Sequence, residues 1–210
     1  HDNLELYQKI GYCYQMLGDI PKALEKYLKA EIINTADKWT IKKIAFCYKL
    51  LQNQEKALEY YRIALSLEPN NIQLELNIGH CLLEMKQYAE ALNVYFKIDF
   101  TYPENIQVKR AIAWSAFLSL KLEQAKRYYE EVLKSSKSSH DYLNAGHVYW
   151  ALNEKKKALE YYQKSIRNNK KVLRGFLKDL EKDILYLYQA GVKKEEVPLM
   201  LDQLKYLIKE

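Results

Sequence analysis

Apolar residues recur every three or four positions within short segments of the chain, and the whole pattern of apolar and polar positions repeats every 34 residues. The short spacing predicts amphipathic α-helices. The long spacing predicts a stacked-repeat protein, because a unit of that length cannot bury its own apolar face and must share a core with its neighbours. We therefore expect an all-α fold built from helix hairpins.

Three columns of residues fix the register of the repeat, which loses one residue between positions 113 and 146. The small-residue column falls on the predicted first helix of each hairpin, and the alanine and tyrosine columns fall on the second. Small residues allow two helices to approach closely, and the aromatic rings fill the remaining space. The columns are Gly11, Ala45, Gly79, Ala113 and Gly146; Ala23, Ala57, Ala91, Ala125 and Ala158; and Tyr27, Tyr61, Tyr95, Tyr129 and Tyr162.

These columns resemble the tetratricopeptide repeat, whose consensus places large, small and aromatic residues on one helix, Ala and an aromatic on the next, and Pro near the end. Pro69 and Pro103 match the terminal proline. The tryptophan of the family consensus is absent from every repeat. The resemblance implies a right-handed α-solenoid, or superhelix, of five helix hairpins, at residues 4–37, 38–71, 72–105, 106–138 and 139–172.

Beyond residue 172 the repeat signature fades, but an apolar stripe at helical spacing continues through Phe176, Leu180 and Leu187. A final helix is predicted to open near Pro198. We expect the two helices of residues 173–210 to cap the solenoid. The last helix carries surplus apolar residues, which predict either that it folds back into the groove or that it forms a self-association surface.

The resemblance also implies that the residue following the small position on each first helix faces a peptide-binding groove. All three tryptophans fall on predicted groove positions, and large aromatic residues are frequent anchors of binding hot spots. For Trp150 and Phe117, packing between repeats is an equally good interpretation. The candidate groove residues are Tyr12, Trp39, Phe46, His80, Trp114, His147 and Trp150.

Arg110 and Asn144 are also candidate groove residues, because they resemble part of a peptide-binding clamp found in this family. Some tetratricopeptide domains hold the C-terminal carboxylate of a peptide with Lys and Asn side chains from successive repeats, and these two residues lie in the best-matching window. Trp114 stands where that clamp has Asn. We therefore favour the alternative that Arg110 is an ordinary solvated charge.

Residues 150–178 hold nine Lys or Arg and two Glu, a net charge of +7 in a chain whose total is +6. Such a segment could attract an acidic peptide, a nucleic-acid backbone or an anionic surface. Charge clusters on solenoid helices are more often solvated faces, so nucleic acid is not an expected partner.

The sequence has no zinc-protease motif, phosphate-binding glycine loop or nucleophile elbow. His140 and His147 would lie roughly 10 Å apart on one helix, too far for one metal ion. Cys13, Cys47 and Cys81 occupy one repeat position, so we expect free thiols rather than a disulfide. We predict no enzymatic activity, no cofactor or metal, no membrane span and a cytoplasmic location.

Two functions follow. The first is a scaffold that binds a peptide or helical segment of another protein in its groove. The second is a structural or self-assembly module whose groove is filled by its own C-terminal helix or by a second subunit, giving a homo-oligomer. Because the chain lacks an initial Met and a cap on the first repeat, we expect it to be a fragment or a processed form.

Overall fold

The computed structural model describes residues 3–168 and 172–209, in which all regular secondary structure is α-helical. Lys170 and Lys171 of the predicted basic segment lie outside these residues. The twelve helices of the described chain are α1 (Leu4–Met16), α2 (Ile20–Ile33), α3 (Lys38–Leu50), α4 (Gln54–Leu67), α5 (Ile72–Glu84), α6 (Tyr88–Thr101), α7 (Ile106–Leu118), α8 (Leu122–Ser135), α9 (Ser139–Ala151), α10 (Lys155–Asn168), α11 (Val172–Gln189) and α12 (Glu196–Lys209).

The first ten helices pack as five successive hairpins, α1 with α2 through α9 with α10. This confirms the prediction of an all-α helical-repeat solenoid. The chain divides into two compact units, unit 1 ending at Thr101 and unit 2 beginning at Tyr102. Unit 1 contains α1–α6 and unit 2 contains α7–α12, so the boundary predicted at residue 172 falls inside unit 2.

Each hairpin is held together by the alanine and tyrosine columns, whose side chains are all buried. The small column faces the tyrosine rings. A Cβ atom built on Gly11 would lie 2.7 Å from Cε1 of Tyr27, and one built on Gly146 would overlap the Tyr162 ring. The small residues on the first helix therefore make room for the aromatic rings of the second.

The turn inside each hairpin has one left-handed residue at the same repeat position. Only the first of these residues is glycine, with φ +80° at Gly18, whereas Leu120 adopts φ +59°. The next helix then begins at a capping residue; in the first hairpin, Asp19 accepts a hydrogen bond from the backbone N–H of Lys22. The other left-handed turn residues are Gln52, Lys86 and Asn153.

The two C-terminal helices do not pack in the same way. α11 lies against α9 and α10, and the ring of its Phe176 is 5.4 Å from the ring of Tyr162. α12 packs on α10; its Met200 and Leu204 are buried, while its Leu199 and Tyr206 remain exposed. α11, rather than the final helix, therefore lies along the first-helix side of unit 2.

The three cysteines are free thiols, as the repeat spacing predicts, with Cys47 and Cys81 buried and Cys13 exposed. No helix in the described part of the chain combines the length and the apolar character needed to cross a bilayer. Within the same residues, no cluster of three or more His, Cys, Asp or Glu side chains could bind a metal ion.

Candidate functional site

Unit 1 presents an aromatic surface on the first helices of its hairpins. Tyr12 of α1 is 46% exposed, and Trp39 and Phe46 of α3 are 39% and 38% exposed. The ammonium group of Lys43 lies 5.3 Å from the Tyr12 ring centroid and 5.1 Å from the Trp39 ring centroid. These distances allow cation–π attraction to both rings. We call Tyr12, Trp39, Lys43 and Phe46 the unit 1 surface.

Two pockets extend the unit 1 surface. The first, of about 480 Å³, is lined by Tyr12 and Trp39 together with Gln8, Cys13 and the ion pair of Glu5 with Lys9 at 2.7 Å. The second, of about 360 Å³, is lined mainly by residues of α3 and α5, among them Lys43, Phe46 and Asn77, together with Gln15 of α1 and Tyr61 of α4. Tyr12 of the first pocket and Lys43 of the second are in contact, so the two pockets neighbour each other on the unit 1 surface.

Buried neighbours fix the orientation of the unit 1 surface. The Trp39 ring stands edge-on to the buried ring of Tyr27, with the centroids 5.6 Å apart. The Tyr27 hydroxyl donates to Gln15 Oε1 at 3.1 Å. On the preceding turn, Gln8 Nε2 donates to Thr40 Oγ1 at 2.9 Å, which joins α1 to α3. The exposed rings are therefore presented by rigid elements, an arrangement that lowers the entropy cost of binding.

His80 of α5, also predicted in the groove, is partly buried and hydrogen-bonded. Its Nδ1 lies 3.1 Å from the hydroxyl of Tyr95, a member of the tyrosine column. Burial, aided by the nearby charge of Lys49, lowers the pKa of His80 to about 4. The imidazole is therefore neutral at pH 7.

In unit 2 the corresponding positions are covered by α11. Trp114 of α7 packs against Phe117, with centroids 5.4 Å apart, and meets Tyr186 of α11 edge-on at 5.7 Å. Trp114 is consequently only partly exposed. A partner could reach this indole in full only after Tyr186 has moved.

His147 of α9 is fully buried. Its Nδ1 lies 2.8 Å from the Tyr162 hydroxyl, and its Nε2 lies 3.4 Å from Oδ2 of Asp183 on α11. The ring also stacks on Phe117. Burial lowers the pKa of His147, and the hydrogen bond with Asp183 opposes that shift in part. The groove position expected for His147 is therefore occupied by α11.

Trp150 of α9 is only 2% exposed, which agrees with the packing alternative rather than with a groove position. Its indole N–H donates to Oε2 of Glu196 at 3.4 Å, and the same oxygen lies 3.1 Å from Nζ of Lys155. Glu196, at the start of α12, thereby joins α9 to α10.

Arg110 and Asn144 do not form a carboxylate clamp in this structure. The Arg110 guanidinium makes a two-pronged ion pair with the buried Asp141, at 2.7 and 2.8 Å, and also donates to Ser136. The Asn144 side chain is buried, and its Nδ2 lies 3.3 Å from Nε2 of His140. Arg110 is thus part of an intramolecular ion pair rather than the solvated charge that the sequence suggested.

Sequence reasoning missed Lys43 and the two α11 residues that cover unit 2, Asp183 and Tyr186. Lys43 is one of four lysines in α3, and nothing in its spacing distinguishes it from the others. Asp183 and Tyr186 are three residues apart and so share one helix face. That spacing could have indicated a polar and aromatic contact surface on α11, although not its position.

Two family models described as tetratricopeptide repeat match the chain, at residues 52–114 and at residues 142–171. A search of the curated proteins found no match. Among solved structures, MamA residues 41-end from Desulfovibrio magneticus RS-1 is 18% identical, with a TM-score of 0.73 over 80% of this chain and 96% of that chain.

The structure described as Pseudomonas aeruginosa pilF is 22% identical, with a TM-score of 0.66 over 99% of this chain and 97% of that chain. YrrB, described as a tetratricopeptide repeat protein with an unusual peptide-binding site, is 17% identical, with a TM-score of 0.66 over 86% of this chain and 93% of that chain. The family models, the five hairpins and the buried columns agree: the chain is a tetratricopeptide repeat protein.

Proposed function

We propose that the unit 1 surface binds a segment of another protein. The tetratricopeptide repeat fold is a scaffold for protein–protein interaction, and the proposal concerns where on this chain that interaction occurs. The observation that carries it is the exposure of Tyr12, Trp39 and Phe46 on neighbouring helices, with the ammonium group of Lys43 against the first two rings.

Exposed aromatic rings on a rigid surface are suited to binding. A cluster of large apolar side chains at the protein surface is a feature of interaction sites, and Trp and Tyr are enriched among the residues that contribute most binding energy. The description of YrrB as having a peptide-binding site is consistent with this use of the fold.

A second role is favoured for unit 2 by the position of α11. Tyr186 and Asp183 of α11 lie over Trp114 and His147, whereas the sequence-based alternative expected the final helix or a second subunit to fill the groove. In this proposal α11 stabilises unit 2 by filling the face formed by α7 and α9. Self-association through α12 remains a prediction.

The binding role can be tested with a phage-displayed library of random 12-residue peptides selected on the whole chain. Peptides that use the unit 1 surface should lose at least about tenfold in affinity in the Trp39→Ala or Phe46→Ala variant, because each substitution removes an aromatic anchor. Fluorescence anisotropy with the labelled peptides measures the change, and far-UV circular dichroism verifies that each variant is folded.

The matched controls are Ile32→Ala and Phe100→Ala, which remove exposed apolar side chains of α2 and α6 in the same unit. These variants should bind the selected peptides as the wild type does. Peptide affinities that are indifferent to Trp39 and Phe46 would contradict the proposal.

A further inference from the structure

α11 shows what the first-helix face of this repeat accepts as an occupant. Tyr186 packs edge-on against Trp114, and the Asp183 carboxylate lies against the His147 ring. These two residues of α11 are three apart, so one face of an α-helix carries both. Unit 2 therefore binds an amphipathic helix that presents an aromatic ring and a carboxylate one turn apart.

The residues that α11 covers have equivalents in unit 1. Trp114 and His147 are consecutive members of the repeat column that also contains Tyr12 and Phe46. Adjacent packed helices lie about 8–10 Å apart, so a single helix crossing α1 and α3 could contact both members of the column. In unit 1 these two side chains are exposed instead of covered.

The charge of α3 favours an acidic occupant. This helix contains Lys38, Lys42, Lys43 and Lys49 and no acidic residue. Lys42 pairs with Glu68 at 2.9 Å, and Lys49 donates to Asn77 at 3.3 Å. Among the described residues, no carboxylate forms an ion pair with Lys43, whose ammonium lies between the two exposed rings. A ligand carboxylate could therefore pair with Lys43 while the rings hold the lysine in place.

We propose that the unit 1 surface binds an acidic amphipathic α-helix of a partner protein, with an aromatic residue and a carboxylate three or four positions apart on the bound face. The proposal rests on the binding role of unit 1 and specifies the ligand. An extended peptide and a second copy of this chain are the competing occupants, and each predicts a different experimental result.

The test uses two phage-displayed libraries with the same randomised positions, selected on the whole chain. The first library has an 18-residue Ala, Gln and Glu framework randomised along one helical face. The second carries two central prolines, which prevent a continuous helix. We expect the helical library to yield binders with an aromatic residue and Asp or Glu one turn apart, and the proline library to yield none of comparable affinity.

Lys43→Gln should weaken the selected helices by about three- to fivefold, the range for a partly exposed ion pair. Affinity should also fall as salt is added. Lys56→Gln, which removes an exposed lysine of α4, is the matched control and should leave binding unchanged. Circular dichroism of each peptide with the protein should show a gain of helix.

Equal enrichment of the proline library, or selected faces without carboxylates, would overturn the helix proposal and leave the binding role of unit 1 intact. Self-association in analytical ultracentrifugation that Trp39→Ala abolishes would identify a second copy as the occupant and would also overturn it. Failure of both libraries and of the random library to give any binder sensitive to Trp39→Ala would remove the binding role as well.

Discussion

Two members of the repeat column in unit 1 and two in unit 2 differ in their exposure. Tyr12 and Phe46 in unit 1 are exposed, whereas His147 in unit 2 is fully buried and Trp114 is partly covered. The residue type does not explain the difference, because all four side chains are aromatic. The difference comes from α11, which covers these positions of α7 and α9 within unit 2. The repeat position therefore determines where a side chain points, and a separate helix determines whether that side chain is free.

The covered face of unit 2 should depend on α11 for its stability. Phe176 is 1% exposed and packs against Tyr162. We expect Phe176→Ala to lower the free energy of unfolding of unit 2 by about 3–5 kcal/mol, the usual cost of removing a buried phenyl ring. Hydrogen exchange of the α9 and α10 amides measures this loss, while the amides of α3 in unit 1 provide an internal reference.

The control for Phe176→Ala is Leu185→Ala on the same helix, where the side chain is 66% exposed. This variant should change the free energy of unfolding by no more than about 0.5 kcal/mol. Equal effects of the two substitutions would show that α11 does not stabilise unit 2 through its buried stripe.

The buried His147 gives unit 2 a pH dependence. Its pKa is lowered in the folded protein by burial, so unfolding takes up a proton once the pH falls below the ordinary histidine pKa of about 6.5. The contribution of His147 to the free energy of unfolding is therefore full above pH 7 and decreases as the pH falls. Urea unfolding at a series of pH values below about 6.5 measures this loss of stability.

His80 should contribute a similar loss in unit 1, since its pKa in the folded protein is about 4. The variants His147→Asn and His80→Asn should each flatten the pH dependence between pH 7 and 5.5. That range lies above the titration of exposed carboxylates. A wild-type protein with constant stability over this interval would contradict the assignment of neutral, buried imidazoles.

The left-handed turn residues are a feature that the two units share. Lys86 in unit 1 and Leu120 in unit 2 have φ angles of +61° and +59°. A residue with a side chain destabilises the folded state by roughly 1–2 kcal/mol in this conformation, and glycine removes that cost. Glycine also makes the unfolded chain more flexible, which cancels part of the gain. Lys86→Gly and Leu120→Gly should each raise the free energy of unfolding by about 0.5 kcal/mol in urea titrations. A loss of stability in both variants would show that the turns are not strained.

Most of the fold was predictable because the repeat columns record local contacts. Ala23 and Tyr27 mark one face of a helix, and Gly11 marks the helix that packs on it, all within 34 residues. Such signals depend on neighbours in the sequence, and five copies of them reinforce one another.

The occupancy of the two faces was not predictable from those columns. Tyr186 contacts Trp114 across 72 positions of the chain, and Asp183 reaches His147 across 36. The apolar stripe of α11 predicted a buried helix but could not specify which surface it would cover. Lys43 was missed because its role comes from two rings on different helices, not from its own helix.

The hydrogen bond from Trp150 to Glu196, together with the ion pair from Lys155 to the same carboxylate, has a practical consequence for ligand screening. A shortened chain that stops before residue 196 would lose this anchor at the end of the α11–α12 connection. If α11 then detached, the apolar face of α7 and α9 would be exposed and would bind library peptides without specificity. Screens should therefore use a chain that retains α11 and α12, so that the selected peptides bind the unit 1 surface.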